Sequence, residues 1–133
     1  MKRSPKSKGT SFTRNAVMRV DEEAVTGENG IIGLYAENLV FNALDKWRGK
    51  IDVTYYREKD SEIDFIMHLA AGKYLPIEVK YRNKVPTGEL KTIGHFSKKK
   101  GTFGLVITKL WKDVGWVENF FMIPLPQFLV LFD

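Results

Sequence analysis

The sequence predicts an α/β domain in which helices pack on a mixed β-sheet. Segments with helical and strand periodicity follow one another in the order α-β-β-β-α-β-β-α along the 133 residues. The first three strands are joined by connections short enough for hairpins, which predicts an antiparallel meander. A later apolar run is typical of a central strand buried on both faces. A chain of this length can bury a hydrophobic core as one domain.

The first helix is predicted over residues 31–47, because apolar residues recur there with the helical period and Gly49 then supplies a stop. Alternating apolar and polar residues predict three strands, over residues 52–58, 61–69 and 74–81. Pro86 and Thr87 open a second helix that runs to about Lys99, with Gly94 as a weak point inside it. The remaining predicted elements are a buried strand over 103–108, a strand over 117–123, and a closing helix or extended tail over 124–132.

The first 20 residues are predicted to form a basic lead-in to a domain that spans residues 21–133. The whole chain has a formal net charge of +5, but residues 1–20 carry six Lys or Arg and no acidic residue. The other 113 residues therefore have a net charge of −1, and a globally basic surface is not established. Asn15 is a candidate cap for one helical turn over 16–19, and residues 21–30 are predicted to form a loop.

Composition excludes several kinds of site. The chain has no cysteine, so disulfides and thiolate metal sites are excluded, and any chemistry must use carboxylates, lysine or histidine. No glycine-rich phosphate loop is present, which excludes ATP binding in the P-loop manner. No apolar run reaches the roughly 18 residues of a membrane span, and the N-terminus lacks the apolar block of a secretory signal. We therefore expect a cytoplasmic protein that does not contact a membrane.

The most informative residues are Asp64, Glu78 and Lys80, on two strands predicted to be neighbours. The two-residue period of a strand puts Glu78 and Lys80 on one side, so the polar faces of the two strands can converge. In the first of these strands, the expected faces are Ile63, Phe65, Met67 and Leu69 on one side, and Glu62, Asp64, Ile66 and His68 on the other. The alternative is an ordinary half-solvated sheet with a cross-strand Asp/Lys pair.

Glu37 is a third candidate, because its helical neighbours are apolar. An ionised carboxylate within that stripe is unfavourable, so Glu37 is expected to be protonated, paired or linked to a metal, unless it reaches water at the edge of the stripe. Two or three carboxylates are enough to hold Mg²⁺ or Mn²⁺, since these hard ions prefer oxygen ligands and keep several waters. Such an ion beside a phosphodiester would polarise the phosphoryl oxygen and activate water.

The chain resembles the PD-(D/E)XK nuclease superfamily. The pattern Asp64-x13-Glu78-x-Lys80, with Glu37 on a preceding helix, is similar to that of the superfamily, and so is the element order α-β-β-β-α-β over 31–108. More narrowly, "GLYAENLVFNAL", "YYREKDSEIDFIM" and "LPIEVKYRNK" resemble the nuclease-like domain of unknown function found C-terminal to prokaryotic AAA-type ATPases. The segment "KSKGTSFTRNAVMR" is similar to the lead-in of that domain.

The resemblance implies a restriction-endonuclease-like fold and a role for each site residue. Asp64 and Glu78 would be the metal ligands, Lys80 would handle the water or the phosphate, and Glu37 would complete the site through the metal or a water. Ile63 stands where the superfamily's name has proline. The implied activity is metal-dependent hydrolysis of DNA, with branched or damaged DNA suggested only by analogy with Holliday-junction resolvases. The implied context is a longer AAA-type ATPase or a free-standing derivative of one.

The sequence is also compatible with two other functions. The domain could be a non-catalytic nucleic-acid-binding or regulatory module of an AAA-type ATPase, or a protein-interaction domain with a relic carboxylate cluster. A homodimer is an open alternative to a monomer. Candidate phosphate contacts are Arg82, Lys84, Lys98, Lys99 and Lys100, although each could simply be solvated.

The remaining candidates have an ordinary structural explanation. His68 could be an outer-shell group and His95 could approach DNA, but solvent-facing positions are the plainer interpretation of both. Trp47, Trp111 and Trp116 are expected to be packing residues.

Overall fold

The computed structural model of the protein describes residues 28–59 and 61–132. The predicted basic lead-in over 1–20, the helical turn over 16–19 and most of the loop predicted over 21–30 lie outside these residues. The described helices are α1 (Glu28–Asp45), α2 (Lys91–Lys99) and α3 (Leu125–Leu131). The strands are β1 (Asp52–Glu58), β2 (Ser61–Leu69), β3 (Lys73–Val79), β4 (Gly104–Thr108), β5 (Gly115–Val117) and β6 (Phe120–Pro124). Short 3₁₀ turns occupy Ala70–Gly72, Thr87–Leu90 and Trp111–Asp113.

The described strands form one six-stranded sheet in the order β1-β2-β3-β4-β6-β5. The pairs β1/β2 and β2/β3 are antiparallel, which confirms the predicted meander. The pairs β3/β4 and β4/β6 are parallel, and β5 returns antiparallel to β6. The predicted α/β class with a mixed sheet is therefore confirmed. Because β3, β4 and β6 run in the same direction, their carboxyl ends meet at one edge of the sheet, where α/β proteins commonly bind ligands.

The sheet lies between two hydrophobic layers. On one face, buried residues of α1 and α3, including Val40 and Phe128, pack with Ile77 and Ile107 of the central strands. On the other face, buried residues of α2 and the preceding turn pack with sheet residues, and this cluster contains Ile63, Ile66, Leu90, Ile93, Phe96, Val106, Phe120 and Met122. All five residues of β4 are buried, as predicted for a central strand.

A β-bulge interrupts β2, which corrects the strict alternation predicted for this strand. The register places Thr54 opposite Ile66 but Tyr56 opposite Ile63, so β2 has one residue more than β1 in this stretch. As a result Ile63 joins Ile66 in the core on the α2 face, whereas strict alternation would place it with Phe65. A bulge adds a residue and bends the strand, and it commonly redirects a side chain near a functional site. The extra residue here falls in the stretch that carries Asp64.

Several predicted boundaries also need correction. Helix α1 begins at Glu28, inside the predicted loop, and β3 ends at Val79 rather than at residue 81. The single strand predicted over 117–123 is two strands, β5 and β6, because the chain turns at Glu118, which has a φ of 52°. The segment from Thr87 begins as a 3₁₀ turn before α2, and the closing segment is the helix α3.

The tryptophans pack less than predicted. Trp47 is half-buried and meets the ring of Phe132 edge-on, as expected of a packing residue. Trp111 is 65% exposed, so its predicted packing role is wrong. Trp116 contacts the rings of Phe103 and Phe121 while it stays 62% exposed on the edge strand β5. Over residues 28–59 and 61–132, none of the helices has the length and apolar character needed to cross a membrane.

Gly104 lies where α2 packs closely on the sheet, and we expect Gly104→Ala to destabilise the protein. A Cβ atom at this position would lie 3.0 Å from Cγ1 of Ile93 and 3.0 Å from Cδ1 of Phe120, both in the core. Overpacking of this kind lowers the free energy of unfolding by about 1–3 kcal/mol. Gly88→Ala is the control, because no atom lies within 4 Å of its added Cβ. Urea unfolding of both variants tests this, and equal effects would contradict it.

Candidate functional site

The carboxylates of Asp64 and Glu78 each accept a backbone hydrogen bond from the neighbouring strand at the point where β2 and β3 separate. The last backbone pair between these strands is Phe65 with Ile77. In the next position the Val79 N–H donates to Oδ2 of Asp64 with an N···O distance of 2.9 Å, and the Asp64 N–H donates to Oε1 of Glu78 at 3.1 Å. Each carboxylate therefore satisfies a backbone donor of the other strand. The structure thus brings together the two carboxylates that the sequence singled out.

The local sequence fixes Glu78 on the α2 side of the sheet. Its neighbours Ile77 and Val79 pack into the core under α1, so Glu78, between them, faces the opposite way. Val106, which pairs with Glu78 across the β3/β4 ladder, belongs to the core on the α2 side. Only 7% of Glu78 is exposed, whereas Asp64 is half-buried. The pair therefore has a buried member and a member nearer the solvent.

Lys80 lies between two carboxylates at the end of β3. Its Nζ is 3.5 Å from Oε2 of Glu78 and 3.6 Å from Oε1 of Glu89. Its backbone N–H donates to the carbonyl of Ile107 at 2.8 Å, which extends the parallel β3/β4 pairing by one position. The ammonium is thus held by two ion pairs and a fixed backbone.

Glu89 is a site residue that the sequence reasoning missed. It lies in the 3₁₀ turn that precedes α2, where it accepts hydrogen bonds from both terminal nitrogens of Arg82. These hydrogen bonds lower the pKa of the Glu89 carboxyl. A carboxylate in the first turn of a predicted helix is common, so the sequence offered no signal that it would reach Lys80. Arg82, predicted as a phosphate contact, is paired with this carboxylate.

The electrostatics of the pair favour a cation. Burial raises the pKa of the Glu78 carboxyl well above its ordinary value, and the negative charge of Asp64 raises it further. Lys80 and the Asp64 N–H act in the opposite direction, and the pKa stays raised. The two adjacent carboxylates supply the oxygen ligands that a hard divalent ion prefers. The residues present therefore fit Mg²⁺ or Mn²⁺.

Glu37 lies on α1 and is half-buried, with Ala36 and Val40 beside it in the core. Among the residues that the structure describes, no three His, Asp or Glu side chains are grouped so that they could hold a metal ion together. The metal-ligand roles of Asp64, Glu78 and Glu37 stay predictions, and two carboxylates are enough for an ion that keeps its waters.

The end of β4 adds two residues that the sequence reasoning did not select. The last β3/β4 pair is Val79 with Ile107, and Lys80 and Thr108 follow it on the two strands. Thr108 is fully buried, and within the described part of the chain its Oγ1 has no hydrogen-bond partner. Nζ of Lys109 lies 5.8 Å from the centre of the Tyr81 ring. Their positions beside the end of β3 depend on the parallel register, which the sequence does not reveal.

Other predicted residues lie away from the carboxylate pair. His68 is near the opposite end of β2, where its Nε2 shares a 2.8 Å hydrogen bond with Oγ1 of Thr54. His95 is exposed on α2, as the plainer interpretation proposed. The predicted phosphate contacts Lys98 and Lys99 are in the last turn of α2 and Lys100 follows it, with its Nζ 5.0 Å from the centre of the Tyr74 ring. Lys84 is exposed in the loop after β3. Contact of these lysines with nucleic acid stays a prediction.

The fold and the site together define an α/β domain with a carboxylate–lysine site at the carboxyl edge of its parallel strands. The chain matches a family model over residues 32–128, and that family is described as a domain of unknown function (DUF4143). Because the match covers most of its length, the chain belongs to this family. No curated protein and no solved structure matches the chain.

The raised pKa of Glu78 predicts how stability depends on pH. Because the folded state disfavours the ionised form, the free energy of unfolding should fall as the pH rises above the ordinary value of 4.5 towards the raised pKa. The Glu78→Gln variant does not titrate at this position. In metal-free buffer we therefore expect its melting temperature to exceed that of the wild type at about pH 8 and to approach it at about pH 5.

The control for this measurement is Asp52→Asn, which removes an exposed carboxylate opposite His68, near the far end of β2. This variant should follow the pH dependence of the wild type. A Glu78→Gln melting temperature that is lower than the wild type by the same amount at both pH values would contradict the prediction.

Two buried threonines differ in hydrogen bonding and predict opposite effects of the same substitution. Thr108→Val removes a hydroxyl that has no partner in the described residues and should leave the free energy of unfolding unchanged or raise it by up to about 1 kcal/mol. Thr54→Val breaks the hydrogen bond to His68 and should lower it by about 1–3 kcal/mol. Chemical unfolding of the two variants measures both values. A clear loss of stability in Thr108→Val would mean that the hydroxyl has a partner after all.

Proposed function

We propose that the chain is a divalent-metal-dependent DNA phosphodiester hydrolase of the PD-(D/E)XK class. The observation that carries the proposal is that Glu78 accepts a hydrogen bond from the Asp64 N–H and Asp64 accepts one from the Val79 N–H, with Nζ of Lys80 3.5 Å from Oε2 of Glu78. Two carboxylates and an ammonium on adjacent strands are poor material for a core and suitable for phosphoryl chemistry. The restriction-endonuclease-like fold is part of the proposal, and the observed order α-β-β-β-α-β supports it.

Asp64 and Glu78 would hold the metal ion, with Glu37 a further candidate through a water. When bound, Mg²⁺ or Mn²⁺ would polarise a phosphoryl oxygen and make a water a better nucleophile. The burial of Glu78 supports this role, because a low-dielectric surrounding strengthens its attraction for a cation. The backbone donors of Asp64 and Val79 would keep both carboxylates oriented.

Lys80 would serve the reaction as a fixed positive charge. Its ammonium can orient the attacking water or stabilise the charge that develops on the phosphate oxygens. The two ion pairs of Lys80 and its backbone hydrogen bond to Ile107 favour such a role, since a group that is already in place needs little reorganisation during the reaction. DNA is the proposed partner, and association with an AAA-type ATPase module is proposed from the resemblance alone.

Cleavage of DNA tests this function directly. With Mn²⁺ or Mg²⁺, we expect the full chain to nick supercoiled plasmid or cut a four-way junction. Asp64→Asn and Lys80→Ala should each lower the rate by at least about 100-fold, because each removes a charge that acts on the transition state. Gel analysis of product over time gives these rates.

The matched control is Asp52→Asn, which makes the same chemical change as Asp64→Asn at an exposed position. It should cleave like the wild type. Cleavage that is equal in all four proteins would point to a contaminating nuclease. Binding of DNA without cleavage under any metal would instead support a non-catalytic binding module.

A further inference from the structure

We propose that Glu89 occupies, in the free protein, the place that a phosphate group of the nucleic acid takes between Lys80 and Arg82. This inference rests on the proposed function and deepens it, because it defines a phosphate-binding subsite next to the carboxylate pair. Glu89 then regulates the site by competing with the ligand. The sequence pattern of the site does not include this residue.

The contact between Glu89 and Arg82 has the geometry that a phosphate would use. Nη1 of Arg82 donates to Oε2 of Glu89 at 3.1 Å, and Nη2 donates to Oε1. This two-point arrangement matches the fork of the guanidinium to two oxygens of one anionic group. Carboxylates and phosphates both satisfy that fork, so the same donors can pass from one to the other.

A second cation shares the same carboxylate. Nζ of Lys80 lies 3.6 Å from Oε1 of Glu89, and its other ion pair is with the buried Glu78. One exposed carboxylate is therefore shared by two cations, Lys80 and Arg82. An anion that replaced Glu89 would gain both cations and would lie beside Lys80, where the proposed reaction needs the phosphate.

The exposure of these side chains makes the exchange feasible. The side chains of Glu89 and Arg82 are 38% and 42% exposed, whereas that of Lys80 is 18% exposed. Ion pairs between exposed side chains are weak and are readily replaced. The next residue, Leu90, is buried and anchors the turn, so the Glu89 side chain can turn towards solvent without disturbing the core.

The test is DNA binding by Glu89→Gln, which removes the charge and keeps the size of the side chain. The probe is a fluorescein-labelled 20-base-pair duplex, measured by fluorescence anisotropy in EDTA so that cleavage cannot contribute. We expect the Kd at low salt to fall about fivefold. The slope of log K against log salt should steepen by about one, since one more phosphate contact is then unopposed.

Matched variants separate a local effect from a general one. Asp52→Asn removes one negative charge at an exposed position opposite His68, near the far end of β2, and should change the Kd and the slope much less. In an Arg82→Gln background, Glu89→Gln should gain less affinity than in the wild type, because the two residues act together. Glu89→Ala should change binding in the same direction as Glu89→Gln. Thermal melting of each variant confirms that it is folded.

A Glu89→Gln variant that binds the duplex like Asp52→Asn would overturn the inference, and so would a duplex that no variant binds. An equal gain with and without Arg82 would overturn it as well, since the effect would not pass through the proposed subsite. The proposed hydrolysis fails on a different result, the absence of metal-dependent cleavage by wild type, which binding in EDTA does not affect.

Discussion

The pair of hydrogen bonds that the Glu78 and Asp64 carboxylates accept from the Asp64 and Val79 N–H groups is the interaction on which the charged site depends. It replaces the backbone pairing of β2 and β3 at the position where these strands separate, so the carboxylates satisfy donors that would otherwise lack a strand partner. The β-bulge in β2 gives the strand its extra residue in this stretch. On its other side β3 pairs with β4, so Glu78 is held by β2 on one side and by β4 on the other. The same arrangement that ends the pairing of β2 with β3 therefore brings two carboxyl groups together.

Charge alternates outward from this pair, from Glu78 through Lys80 and Glu89 to Arg82. The buried end carries a carboxylate whose ionisation is disfavoured, so it gains from a cation. At the exposed end, Lys80 and Arg82 share the surface carboxylate of Glu89, so this end gains from an anion. A phosphodiester with a bound metal ion supplies both charges in one ligand. This complementarity, together with the position at the carboxyl ends of parallel strands, is the physical reason for proposing hydrolysis of DNA.

Much of this arrangement is predictable from the sequence, because it depends on local periodicity. The strands over 52–58 and 61–69 are as predicted, and Asp64 and Glu78 meet because hairpin pairing follows from short connections. The bulge is not predictable from the sequence of β2 alone. Ile63 and Ile66 lie on the same face because of the way β2 pairs with β1, and that register is known only from the structure. The division of the predicted strand into β5 and β6 is not predictable, because the turn between them, at residues 118–119, contains no glycine or proline. Glu89 reaches Lys80 through tertiary packing, which leaves no periodic signal.

Calorimetric titration of Mn²⁺ into the metal-free full chain tests most directly whether Asp64 and Glu78 form a cation site. We expect one saturable site in the wild type and in Asp52→Asn, and an affinity at least about tenfold weaker in Asp64→Asn. Saturable binding of equal affinity in all three proteins would place the metal elsewhere. The absence of saturable binding by the wild type at millimolar Mn²⁺ would contradict the central claim, and the carboxylate pair would then be a structural device for joining β2 to β3.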